Sequence, residues 1–397
     1  MSSVPRLRDY RGPALLSYGF RPFFLLGAIY AGLAVAAWLP IFNGERELST
    51  AFGPIDWHVH EMLYGFLPAV VTGFLLTAIP NWTGRLPIQG APLLLLVLLW
   101  LAGRLAVTIS AAIGWLPAAI VDVSFLVLVV AAAAREIVAG KNWRNLRVLA
   151  MVTLLLAGNI GFHLEAHVNG SADYSARVGI AAIVMLIAVI GGRIVPSFTR
   201  NWLVRENPGR PPVPFGKFDG AVILFGAVTL ALWIIQPAGQ IIGIALLAAG
   251  ILHLVRLARW AGDRTFRNRL VLILHIGYVF VPIGFLLSSA SALGLVIADA
   301  GTHAWTVGAA GVMTLAVMTR ATLGHTGQAL VASLATQAIY FFIVIAALAR
   351  IAAALDQGSS LGLLGLAAVA WCVAFFGFAV AFGPLLLGWQ RRMKSIK

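Results

Sequence analysis

A single cysteine in 397 residues, Cys372, rules out a disulfide within the chain and argues against a thiolate metal site. Charge is scarce as well. Asp, Glu, Lys and Arg together make up 11% of the sequence, against roughly a quarter in soluble proteins. Carboxylates are the rarer sign, 14 against 28 Lys and Arg. No phosphate-binding loop, dinucleotide fingerprint or metalloprotease helix is present. No long apolar stretch precedes Phe23, so a cleaved signal peptide is not expected and the first span is its own insertion signal.

Apolar residues are abundant: they form 60% of the chain, and mean hydropathy is +0.93. This composition predicts an all-α polytopic membrane protein, a single integral membrane domain over residues 1–397 with the lipid bilayer as its first partner. Runs long enough to cross fall near 23–42, 61–80, 92–110, 116–134, 147–167, 177–196, 219–236, 239–259, 270–290, 303–321, 331–354 and 361–388. The segments between these twelve runs carry Pro, Gly, Asn and Asp, as turns do.

Lys and Arg distribute unevenly across such a topology. The side holding both termini carries 24 of them and the opposite side three, Arg46, Arg177 and Arg350, while Arg104 lies within the third span. Basic residues stay inside, so both termini are expected in the cytoplasm. The net charge of +14 is then a topology signal, and nucleic acid is not an expected partner.

The cytoplasmic ends of spans two, six and ten read GFLLTAIPNWTGR (73–85), AVIGGRIVPSFTRNW (188–202) and MTLAVMTRATLGHTGQ (313–328). Pro80 and Pro196 are 116 residues apart, as are Asn159 in GNIGFHLEA and His275 in LHIGYVFVP. One offset shared by two matches suggests three four-helix pseudo-repeats, roughly 20–140, 141–262 and 263–390, related by an axis along the membrane normal.

Ionisable groups are costly inside a bilayer and mark sites that use them. Five of eight histidines fall in the outer half: His58, His60, His163, His167 and His303. His253, His275 and His325 lie in the inner half or at the inner surface. Neutral imidazole ligates haem iron and suits copper. His163 and His167, four apart, share a helical face and can chelate one metal. His58 and His60, two apart, point about 200° apart on a helix and so serve two sites unless the helix begins between them. Glu61 can orient an imidazole through its second nitrogen or take a proton. Arg104 and Asp122, both in the outer half, can pair with each other, or Arg104 can neutralise a haem propionate. His275, His325 and Arg320 remain further candidates.

The stretches GFRPFF (19–24), WHVHEMLYGF (57–66), GFLLTAIPNWTGR (73–85), LWLAGRLA (99–106), LHIGYVFVPIGFLL (274–287) and HAWTVGAAGVMTLAVMTRATLGHTGQ (303–328) together closely resemble the NnrS family over nearly the whole chain. The resemblance implies a multi-pass protein of the bacterial inner membrane that contains haem and copper. It also implies a link to nitric oxide, nitrosative stress and denitrification. A more distant likeness is to subunit I of the haem–copper oxidases and nitric oxide reductases, with twelve spans and a low-spin haem histidine in the second. Carried over, His58, four before Met62, and His303, five before Gly308, become the axial pair of a haem b, with His60 a close substitute for His58. Spans six and seven, which hold the binuclear-centre ligands in that superfamily, contain no histidine here, and the partner position for a second haem is Gly301. Terminal oxygen reduction is therefore not expected, and copper would take His60, His163 and His167.

The expectation is an inner-membrane haem b and copper protein that handles nitric oxide or iron-nitrosyl species, with Glu61 and Asp122 supporting the ligands. Two alternatives stay open: a cofactor-free proton-coupled secondary transporter using His58, Glu61 and Asp122, and an oxidoreductase of quinol and nitric oxide.

Overall fold

The computed structural model describes residues 10–296, 300–356, 358 and 360–389. Arg6, Arg8, Arg391, Arg392, Lys394 and Lys397, which enter the charge asymmetry, lie outside the described residues. The described chain is all-helical, with no strand among the described residues. It has twelve helices long and apolar enough to cross a membrane: Phe20–Phe42, Pro54–Thr83, Ala91–Thr108, Trp115–Ala139, Trp143–Asn169, Asp173–Glu206, Lys217–Ile235, Gln240–Arg264, Arg269–Ala292, Ala300–His325, Leu334–Leu355 and Ser360–Leu387. These are spans one to twelve below. Helices suit a bilayer because each satisfies its own backbone hydrogen bonds.

Ten of the twelve lie close to the apolar runs. Span two begins seven residues before the expected 61, and span six continues ten residues past the expected 196. Both extensions are polar. Span six carries Arg200, Arg205 and Glu206 beyond its apolar part; such charges end an apolar run but not the backbone helix. At 34 residues the helix is about 51 Å long, well over the hydrocarbon thickness of about 30 Å.

The chain divides into two compact units. The first comprises residues up to Ala176, Ala321–Gln328 and the chain from Phe375 onward. In it span one packs on span two, span three on span four, and span four on span five. Phe23, Phe24, Ala28 and Ala31 of span one are fully buried. Arg21 Nη1 ties the end of the last span to the first, donating to the carbonyls of Leu385 at 3.0 Å and Leu386 at 2.8 Å.

The second unit comprises Arg177–Arg320 and Ala329–Ala374. Its spans seven, eight, nine and ten pack in sequence order, and span eleven lies against span ten. A buried polar network holds it internally. Arg256 Nε donates to Asp219 Oδ1 at 3.1 Å, and Arg256 Nη1 donates to the Tyr278 hydroxyl at 2.7 Å and the Ala188 carbonyl at 3.0 Å.

Three helices widen locally into π-helical turns: Glu61–Phe66, Ile187–Gly191 and Ala304–Gly311. They fall in spans two, six and ten, the three spans compared in the search for a repeat, though at different places relative to the compared stretches. Such segments cost regular helix bonds and recur at functional sites.

Candidate metal centre

Among the described residues, the densest collection of buried ionisable groups lies within the first unit, where the start of span two, the end of span three, the start of span four and the end of span five meet. His60 is six residues from the start of span two, Asp122 seven from the start of span four, Arg104 four from the end of span three and His163 six from the end of span five. At about 1.5 Å per residue, all sit about 6–11 Å along the helix from those ends. His60, Glu61, Arg104, Asp122 and His163 are each at most 5% exposed.

The π-helical turn opens at Glu61, immediately after His60. His60 and Glu61 are neighbours in sequence yet meet side chain to side chain, His60 Nδ1 lying 3.0 Å from Glu61 Oε1. The other ring nitrogen, Nε2, is 3.0 Å from Asn159 Oδ1 and 3.3 Å from Asp122 Oδ2. Both nitrogens thus face oxygen acceptors, the pattern of a ring carrying both protons.

Asp122 is the hub. Its Oδ2 accepts from Asn159 Nδ2 at 2.9 Å and faces His163 Nε2 at 3.1 Å, and its Oδ1 accepts from Arg104 Nη2. Arg104 Nη1 donates to Glu61 Oε2 at 2.6 Å, and the Tyr30 hydroxyl donates to the same oxygen. Two carboxylates therefore face one guanidinium and the His60 ring, and with that ring doubly protonated the charges balance without any other ion. Two glycines make this close packing possible. A methyl group on Gly65 would overlap Arg104 Nη1, and one on Gly103 would come within 2.9 Å of Asp122 Oδ1.

Aromatic rings cover the imidazoles. Phe52 lies 5.1 Å from the His60 ring and 5.3 Å from the His163 ring, and Phe162 lies 5.2 Å from His60, centroid to centroid. The covered group has a metal-ligating composition. One donor atom each from His60, Asp122 and His163 lies within 4.8 Å of the other two. A metal about 2.0–2.2 Å from its ligands separates them by about 2.8–3.6 Å in tetrahedral or octahedral geometry. The His60–Asp122 and His163–Asp122 separations of 3.3 and 3.1 Å fall in that range. Once the imidazoles give up their Nε2 protons, two nitrogens and one carboxylate oxygen converge, a set that suits zinc, copper or non-haem iron. The buried His60–Asp122–His163 group can hold a metal ion.

The remaining sequence candidates are placed elsewhere. His58 stacks on Trp38 of span one, ring centroids 4.2 Å apart. His167, on the same helix as His163, is exposed and stacks on Trp115 at 4.2 Å. Arg104 pairs with Asp122 and with Glu61. His325 stacks on Tyr18 at 5.6 Å, and Arg320 lies 4.0 Å over the Phe198 ring. His275 Nε2 meets Thr199 Oγ1 at 2.9 Å. His303, the other expected haem ligand, belongs to the second unit, whereas His58 belongs to the first. Asn159, Tyr30 and Phe52 are members of the cluster that charge and histidine counting missed. Asn159 carried one signal, its place four residues before His163 on the same helical face.

No curated protein matches the chain. A family model described as NnrS protein matches residues 14–389, nearly its whole length. Together with the twelve-span architecture, this match establishes that the chain belongs to the NnrS family.

Proposed function

We propose that the chain is a metalloprotein of the bacterial inner membrane acting in the nitric oxide response, with a transition-metal ion held by His60, Asp122 and His163. The observation that carries this reading is the convergence of two imidazoles and a carboxylate in a buried, ring-covered cluster. Copper is the metal that the family resemblance implies, and imidazole ligands suit it. When bound, the metal supplies a coordination position for a small ligand such as nitric oxide and a centre for one-electron exchange.

The surrounding residues do the positioning. Glu61 holds the His60 ring through Nδ1, leaving Nε2 directed at the site. Asn159 and Arg104 fix the two oxygens of Asp122. Orienting partners of this kind set ligand geometry and tune affinity. Arg104 offsets the charge of Glu61 and Asp122, while Phe52 and Phe162 keep bulk water from the imidazoles. A haem b is the second cofactor in this proposal; it rests on the resemblance alone, which would assign His58 and His303 to it.

An absorption spectrum with metal quantification on purified protein tests the reading. A bis-imidazole haem spectrum and a stoichiometric transition metal are expected, with the haem bands lost in His303→Ala. A colourless, metal-free preparation from haem- and copper-replete cells would refute it.

One observation favours a second reading, a cofactor-free proton-coupled transporter. Both nitrogens of His60 already meet acceptors, and the cluster is charge-balanced with a proton in place of a metal. Proton-coupled flux by metal-free protein in liposomes would support that reading over the first. Turnover with quinol and nitric oxide would instead mark an oxidoreductase.

A further inference from the structure

A second site lies at the opposite end of the same helices. The segment between spans two and three, the start of span three and the end of span four line an open cleft of about 870 Å³. It belongs wholly to the first unit and to the basic side of the chain.

Its walls differ sharply in chemistry. Leu95 and Leu96 of span three face Leu128, Ala131 and Ala132 of span four, and the two alanines open the cleft between the helices. The rim is cationic. Glu136 is buried and takes a hydrogen bond on Oε2 from Arg85 Nε. Its Oε1 accepts from Arg135 Nε at 2.9 Å and is 2.8 Å from Arg135 Nη2. One carboxylate thus anchors two guanidinium groups and leaves a net positive charge. The anchored side chains stay accessible, Arg85 at 45% and Arg135 at 69% exposure.

The frame around this rim is pinned. Gly84 ends span two in a left-handed conformation, φ +70°. Gln89 Nε2 donates to the Ser17 carbonyl at 2.8 Å, and Asn142 Nδ2 donates to the Trp82 carbonyl at 2.6 Å. The arginines therefore do not have to be ordered at the moment of binding, which lowers its entropic cost.

We propose that this cleft is a binding site for one anionic phospholipid. The phosphate diester sits on the outward N–H groups of Arg85 and Arg135, and an acyl chain runs in the cleft lined by Leu95, Leu128 and Ala132. Arginine binds phosphate oxygens in paired, charge-assisted hydrogen bonds. A soluble anion would leave the leucine walls wet. A neutral quinone ring would leave the surplus positive charge unmatched. An anionic lipid satisfies both halves, and the volume lies within the range of about 300–1,000 Å³ for small-molecule sites. On the cytoplasmic side, where anionic lipids attract basic residues, each arginine contributes about fivefold to such binding.

Native mass spectrometry of the full-length protein, with matched phosphatidylglycerol and phosphatidylcholine added, tests the site. The protein should retain phosphatidylglycerol over phosphatidylcholine by tenfold or more. Arg85→Gln with Arg135→Gln should bring the two lipids to within about threefold of each other, and Arg135→Gln alone should give an intermediate ratio. Ala132→Phe, which fills the cleft at a partly exposed position and keeps both arginines, should lower phosphatidylglycerol retention at least fivefold. An unchanged lipid ratio in Arg135→Gln, undiminished retention in Ala132→Phe, or displacement of the lipid by a quinone would overturn the proposal. The readout does not depend on metal or haem content.

Discussion

Replacing Arg104 by glutamine removes the guanidinium that faces two buried carboxylates. Arg104 is 6% exposed in its side chain, Glu61 0% and Asp122 1%. At an effective dielectric of about 20 and a charge separation of about 4 Å, each pair is worth about 4 kcal/mol before desolvation is counted. Removing one partner of a buried pair costs about 3–5 kcal/mol, because the other charge is stranded. Here two carboxylates are stranded with only the His60 ring to balance them, so the loss should lie near 5 kcal/mol. Unfolding in mixed micelles, followed by tryptophan fluorescence, should show the loss; Trp100, buried and donating to the Gly65 carbonyl at 2.9 Å beside the cluster, is one of the twelve indoles that report it. Adding Glu61→Gln restores neutrality, with His60 facing Asp122 alone. The double variant should therefore recover about 2 kcal/mol rather than lose more. A single variant within about 1 kcal/mol of the parent, or a double variant as unstable as the sum of the singles, would refute this account of the cluster.

Three further outcomes are expected. Gly65→Ala places a methyl group on Arg104 Nη1 and 3.0 Å from Glu61 Oε2, so it should cost about 1–3 kcal/mol by overpacking, and unaltered melting would argue against the close approach. Arg21→Ala removes two hydrogen bonds to the carbonyls of Leu385 and Leu386, about 1.5–3 kcal/mol for a charged donor, and should speed amide exchange at the end of span twelve while leaving span three unchanged. Glu165→Ala removes the acceptor of the Tyr174 and Ser175 amides, both at 2.8 Å; loss of this cap should cost about 0.5–2 kcal/mol and increase proteolytic nicking near residue 172, and equal nicking rates would count against the cap.

The spans were legible because about twenty apolar residues suffice to cross a bilayer and nothing else in the chain resembles such a run. The polar beginning of span two and the arginine-bearing end of span six were not, since helix propagation follows backbone bonding rather than hydropathy. The π-helical turn at Glu61 has no sequence signature, and it begins beside the His60–Glu61 contact. The charged members of the cluster stood out because each is expensive in a membrane: His60, Glu61, Arg104, Asp122 and His163. Their grouping stood out only in part: Arg104 was paired with Asp122 and His60 with His163, but the joining of both pairs at Asp122 is made across four helices. His163 and His167 illustrate the limit. Their spacing puts them on one face, but the helix end turns one into the core and leaves the other stacked on Trp115 at the surface. Tyr30 and Phe52 looked like any aromatic of a membrane chain, and only packing assigns them to the imidazoles.

The most direct test of the central claim is the number of transition-metal ions per chain in purified protein, compared across Asp122→Asn, His163→Ala and His167→Ala. With the metal on His60, Asp122 and His163, the parent and His167→Ala should carry the same near-stoichiometric amount, while Asp122→Asn and His163→Ala should lose tenfold or more in metal affinity. Equal metal in all four proteins, or a loss confined to His167→Ala, would contradict the assignment.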